Sequence, residues 1–113
     1  MHELGLLQET LDVALEHAAR HGARRVHRIT LKVGDLSGVV TEALQFAFEV
    51  VTQGTIAEGA RLVVERVPVV CRCRRCERDF RSDDVIYLCP VCGEISADVR
   101  QGRELILKSL EVS

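Results

Sequence analysis

Four of the five cysteines fall into two pairs with the same internal spacing, Cys73-Arg74-Arg75-Cys76 and Cys89-Pro90-Val91-Cys92-Gly93, with twelve residues between the pairs. Each C-x-x-C turn can present two thiolates, and the intervening segment is long enough to fold back as a hairpin. The four sulfurs can then meet about 2.3 Å from one tetrahedral ion. This donor set points to structural Zn2+ in a zinc-ribbon module. Four thiolates leave no coordination position open, so the ion would hold shape and do no Lewis-acid chemistry. Iron in the same thiolates, as in a rubredoxin-like electron carrier, is the competing occupant. Gly93 can supply the positive φ that the chain after a second sulfur often needs, and Pro90 stiffens the turn. Cys71 is expected to point to the face opposite Cys73, as a buried or edge thiol and not a ligand. The odd cysteine count and the confinement of all five between positions 71 and 92 favour a metal over a disulfide scaffold.

A second donor group stands at the amino terminus, Met1-His2-Glu3. The α-amine of Met1, the amide nitrogen of His2 and its imidazole can close joined five- and six-membered chelate rings, a set suited to square-planar or tetragonal Ni(II) or Cu(II). At a helix start the first backbone amides have no intrahelical acceptor, which leaves these nitrogens available. The plain alternative is a frayed, solvated histidine. His17 and His21 stand four apart on the same helix and could make a second metal pair, although an exposed face is the preferred reading; with Ala18 at position 18 they do not form an H-E-x-x-H arrangement. His27 shares the parity of Ile29 and reads as a half-buried, satisfied histidine.

Arg72, Arg74, Arg75, Arg78 and Arg81 surround the first knuckle. A zinc ribbon with such a patch could bind nucleic acid. However, zinc with four thiolates carries a formal charge of about −2, which nearby guanidinium groups would offset. Glu77, Asp79, Asp83 and Asp84 interrupt the positive field, and only Phe80 and Tyr87 could stack on bases, so charge offset is the preferred reading.

The elements that must position these groups are legible as periodicities. Leu4, Leu7, Leu11, Ala14, Leu15 and Ala18 form one stripe of an amphipathic helix that Gly22 stops. Ile29, Leu31 and Val33 alternate with Arg28, Thr30 and Lys32 as a strand with one buried face. Thr41 is the expected N-cap of a second helix carrying Leu44, Ala47, Phe48 and Val51 and ended by Gly54. Leu62 to Val67 reads as a strand that Pro68 closes, and Leu105 to Val112 as the final strand. That final strand must pair with the earlier ones across the cysteine segment, which makes the ribbon an insertion. The expected fold is α+β, a small three-stranded sheet covered by two helices with an inserted four-cysteine zinc-ribbon module. The expected division is residues 1–70 plus 99–113 for the α+β domain and 71–98 for the ribbon.

At 113 residues, 47% of them hydrophobic, the chain can bury one domain core. Charged residues make up 28% and the formal net charge is −2, so nothing global points to nucleic acid or an anionic membrane. Short, interrupted apolar stretches and an acid at position 3 argue against an export signal, and the expected setting is the cytoplasm. No nucleophile with a base, paired-carboxylate motif or phosphate loop suggests an enzyme.

Met1-His2-Glu3 leading straight into a helix, Val33-Gly34-Asp35-Leu36-Ser37, Thr55 with Glu58-Gly59-Ala60 before a strand, and the two knuckles together resemble the HypA/HybF family. The likeness covers essentially the whole chain. It implies a nickel metallochaperone for NiFe-hydrogenase maturation, with His2 as nickel ligand assisted by Glu3 and the Met1 amine, and zinc on Cys73, Cys76, Cys89 and Cys92. It also implies two partners, a HypB-type GTPase and the hydrogenase large-subunit precursor, and in some relatives a urease. An acidic residue proposed near nickel in some relatives falls where this chain has Val40, so that ligand does not carry over. A homodimer is compatible with the reading, because the strand after the ribbon could exchange between chains.

Overall fold

A computed structural model describes residues 2–82 and 87–113, with main chain only for His2 and Glu3. The elements run α1 (His2–Arg20), β1 (Val26–Gly34), α2 (Thr41–Val51), β2 (Arg61–Val67), β3 (Val70–Cys73), β4 (Arg78–Arg81), β5 (Val99–Gln101) and β6 (Leu105–Val112). The fold is α+β. One three-stranded sheet has the order β2-β1-β6, and a second, within the ribbon, has the order β4-β3-β5. The strand after the ribbon thus pairs with β1 across the whole insertion, as its length required.

The chain divides into two compact units. The first comprises Met1–Lys32, Val39–Glu65 and Ile106–Ser113. Its core is ordinary hydrophobic packing: Leu7, Leu11, Ala14 and Ala18 of α1, Ile29 and Leu31 of β1, and Leu44, Ala47 and Phe48 of α2 are all at most 3% exposed. The stripe read on α1 is therefore the buried face, with Leu4 and Leu15 at its margin. Helix α1 ends in a Schellman motif: the Ala23 N–H donates to the Ala18 carbonyl and the Gly22 N–H to the Ala19 carbonyl, with Gly22 at φ 69°. Helix α2 starts one residue earlier than expected. Its N-cap is Val40, with no side-chain cap, and Thr41 is the first helical residue. At the other end Thr52 is the C-cap, its hydroxyl donating to the Phe48 carbonyl at 2.7 Å. Thr55 then builds a tight turn, giving its hydroxyl to the Thr52 carbonyl and accepting from the Ala57 N–H. This turn feeds Glu58-Gly59 into β2.

Strand β1 departs from strict alternation. Val26, Ile29, Thr30, Leu31 and Val33 are buried, whereas His27 is exposed. The half-buried placement expected for His27 is thus incorrect, because two successive exposed residues after Val26 shift the phase at the strand's start. Its ring is nevertheless satisfied, with Nε2 at 2.7 Å from the Ser113 hydroxyl.

The second unit comprises Val33–Gly38 and Arg66–Leu105. Here the Gly34-Asp35-Leu36 segment is tied down through its main chain: the Gly34 N–H reaches the Glu104 carbonyl, Asp35 the Val67 carbonyl and Leu36 the Gly102 carbonyl, at 2.7–2.9 Å. A side chain at Gly34 would run into the Gly102 carbonyl group, so only glycine fits. The Asp35 carboxylate accepts from Arg66 Nε at 3.1 Å. These residues, which carry much of the family resemblance, therefore have structural roles in this chain.

Candidate metal centre

Strand β3 holds the first cysteines. It pairs antiparallel with β4 in the register Val70 with Arg81, Cys71 with Phe80, Arg72 with Asp79 and Cys73 with Arg78. On its other edge it pairs with β5, with a bulge between Val70 and Cys71. Burial alternates along β3, and Cys71 and Cys73 are both buried. They share one face, as residues two apart on a strand must. The opposite-face placement expected for Cys71 is therefore wrong. Cys71 packs with Val69, Phe80 and Val99 in the small core of the ribbon, outside the four-sulfur cluster. Burial, and then the Asp98 carboxylate, push its thiol above the ordinary range.

The two knuckles are built alike. In the first, the Cys76 N–H points to Cys73 Sγ at 3.5 Å. In the second, the Cys89 N–H donates to the Glu94 carbonyl and the Gly93 N–H to the Cys89 carbonyl, both at 2.8 Å, while Leu88 bridges Ile95. The residue after the second sulfur is left-handed in both, Gly93 at φ 76° and Glu77 at φ 54°. The expected positive φ after Cys92 is present. Its counterpart at Glu77 has no glycine to announce it.

These turns bring Cys73, Cys76, Cys89 and Cys92 together, with all four sulfurs within 4.8 Å of one another. Cys73 and Cys92 sulfurs are 3.6 Å apart, and those of Cys76 and Cys89 3.9 Å. Tetrahedral bonds of about 2.3 Å require sulfur separations of roughly 3.8 Å, whereas a disulfide would need about 2.05 Å. The spacing suits a tetrahedral thiolate site.

The electrostatics prepare the thiolates unequally. N–H groups of Cys92 and then Val91 donate to the Cys89 sulfur and pull its pKa down to about 6. The Cys92 sulfur, followed by burial and the other two thiols, pushes Cys76 up to about 12. Three of the five arginines around the first knuckle face carboxylates, as does Arg100 nearby. Arg72 pairs with Asp79 at 3.3 Å, Arg75 with Glu94 at 3.6 Å, Arg74 with Asp98 at 4.0 Å, and Arg100 with Asp98 at 2.8 Å. These carboxylates interrupt the positive field beside the knuckle. Asp83 and Asp84 lie outside the described residues.

One positioning residue has no mark in the sequence. Ser96, nearly buried, donates its hydroxyl to the Arg72 carbonyl at 2.6 Å and accepts from the Asp98 N–H at 3.2 Å, while its own N–H reaches the Tyr87 carbonyl. It thereby ties the exit of the second knuckle to β3 just before the first knuckle. A lone serine in a loop carries no periodicity to reveal it.

Met1 and the side chains of His2 and Glu3 lie outside the described residues, and helix α1 begins at His2. Among the described helices none is long and apolar enough to cross a membrane.

Residues 1–112 match the sequence model of a family described as hydrogenase/urease nickel incorporation, metallochaperone, hypA. The chain is 46% identical over 112 residues to the hydrogenase maturation factor HypA of Picosynechococcus sp., and 43% identical over 112 residues to that of Geotalea uraniireducens. Both alignments cover 99% of each chain. The fold is similar to the solution structure of a HypA protein, with a TM-score of 0.76 and 25% identity over 100% of this chain and 97% of that one. It is also similar to the solution structure of the Ni metallochaperone HypA from Helicobacter pylori, with a TM-score of 0.69 and 22% identity over 97% and 96% of the two chains.

Proposed function

Since the chain belongs to the HypA family of nickel metallochaperones and hydrogenase maturation factors, we propose that it binds Ni(II) at its amino terminus and delivers it for NiFe-hydrogenase maturation. The observation that carries this reading is the family match over residues 1–112, which takes in Met1-His2-Glu3. In this proposal Ni(II) is cargo, held by the Met1 amine, the His2 amide nitrogen and the His2 imidazole, with Glu3 nearby. The start of α1 at His2 supports it, because the first amides of a helix have no acceptor in the helix. The nickel-handling domain is the unit that carries α1, and the ribbon is the core of the unit that carries the cysteines. Cys73, Cys76, Cys89 and Cys92 hold a resident Zn2+, which supplies a closed, non-catalytic cross-link.

A carrier has to give up its cargo. Nitrogen donors at a chain terminus exchange more readily than a closed cage, and they must lose protons to bind, so affinity falls as pH drops through the imidazole range near about 6.5. The receiving partners in this reading are a HypB-type GTPase and the hydrogenase large-subunit precursor, in the cytoplasm. A urease is a second client that the family description makes worth testing.

Calorimetric titration of Ni(II) into the wild-type chain and His2→Ala tests the cargo site, and equal affinity in the two removes His2 from it. Elemental analysis of the purified chain and of Cys73→Ser tests the ribbon. One zinc per wild-type chain and none in the variant is expected. A coloured, iron-containing protein would instead support the electron-carrier reading.

A further inference from the structure

Helix α1 closes with two imidazoles on one face, His17 and His21, and the manner of closure fixes one of them in a ligand-ready state. Side chains four apart stack over successive turns, with Cβ atoms about 5–6 Å apart. The Schellman motif holds His21 at the C-cap, and its main-chain N–H still reaches the His17 carbonyl at 3.3 Å. The His21 ring folds back on the same carbonyl, with Nδ1 at 3.0 Å from the oxygen. A carbonyl can only accept, so Nδ1 carries the hydrogen and, in the neutral ring, the lone pair is on Nε2. Metal-bound histidines have this same pairing, one ring N–H on a carbonyl and the other nitrogen on the ion. The His17 ring is exposed and makes no hydrogen bond among the described residues.

The surroundings favour a cation. The carbonyl end of a helix carries partial negative charge, and Arg20, next to His21 in the chain, is paired with Glu16 at 2.6 Å. Both rings lie in solvent, so an ion keeps part of its hydration shell and loses little to desolvation. Position 17 stands fifteen residues beyond position 2, about 22 Å along the helix axis. One ion cannot serve both.

We propose that His17 and His21 form a second, weaker site for a first-row divalent ion, with Ni(II), Cu(II) and Zn(II) as the class that two imidazoles and water accommodate. The site is independent of the amino-terminal one. The test titrates NiSO4 into the zinc-loaded full chain as wild type, His2→Ala, His17→Gln, His21→Gln and the double glutamine variant. Imidazole NMR signals are followed alongside the heat. Two steps are expected in wild type, with the weaker one retained in His2→Ala and shifting the signals of His17 and His21. Each single glutamine variant should weaken that step about tenfold or more, because the second imidazole binds intramolecularly, and the double variant should abolish it. A weaker step that survives in the double variant, or its absence from both wild type and His2→Ala, overturns the proposal. Loss of only the tighter step in His2→Ala bears on the amino-terminal reading alone. Unchanged helical circular dichroism and zinc content in the glutamine variants exclude misfolding as the cause.

Discussion

The two units of the chain are stabilised in opposite ways. In the first, two helices and strand β1 bury leucine, isoleucine, alanine and phenylalanine side chains. In the second, the buried cluster is Val69, Phe80 and three cysteines, Cys71, Cys73 and Cys89. So small an apolar cluster offsets little of the chain entropy of the unit's 46 residues. A metal on the four cysteines would therefore fold together with the ribbon, whereas the helical unit has a hydrophobic core of its own.

Removing the metal puts that contrast under the greatest strain. A strong chelator is expected to cost the ribbon on the order of 10 kcal/mol. Its NMR dispersion should collapse while helical circular dichroism persists. Simultaneous loss of both signals would mean that the helical unit also depends on the metal. The reciprocal experiment is Leu11→Ala, which opens a cavity beneath α1 and is expected to lower stability by about 2–5 kcal/mol. Zinc content should stay at one per chain.

Acidity probes the ribbon more finely. Cys76, pushed up to about 12, must lose a proton on binding, whereas Cys89, pulled down to about 6, is already a thiolate at neutral pH. Zinc affinity should therefore rise with pH between about 6 and 8, by about tenfold per unit for each proton released. It should fall more steeply below about pH 6, where Cys89 takes up a proton as well. Competition against a chelator of known pH dependence measures both slopes. The smallest effect belongs to the left-handed Glu77. Glu77→Gly relieves that conformation as Gly93 does in the second knuckle, and a gain of at most about 1 kcal/mol is expected in thermal unfolding of the zinc-loaded chain.

Legibility in the sequence follows the range of the interactions involved. The α1 stripe, the β6 span and the paired knuckles can all be read because each is a local period or spacing. Thr41 imitates a cap, but Val40 caps through its backbone alone and leaves no side-chain signature. For Cys71 the opposite-face expectation has no physical support, since period two already places it with Cys73. The exposure of His27 depends on where β1 changes phase, which parity counted from Ile29 does not reveal. The need for glycine at Gly34, set by the Gly102 carbonyl, and the Ser96 tie to Arg72 both join residues far apart in sequence. Such meetings leave no periodic trace.

The pairing of β1 with β6 has a kinetic side. Gly34 meets Glu104, and Arg25 meets Ser113, so the central strand waits for a partner made 70 to 88 positions later. Closing so long a loop is slow, because its entropy is lost before any hydrogen bond forms. A metal on the cysteines at positions 73 to 92 would remove part of that slack in advance. Zinc supply during synthesis would then govern how quickly the sheet closes and how long unpaired β1 stays open to other chains.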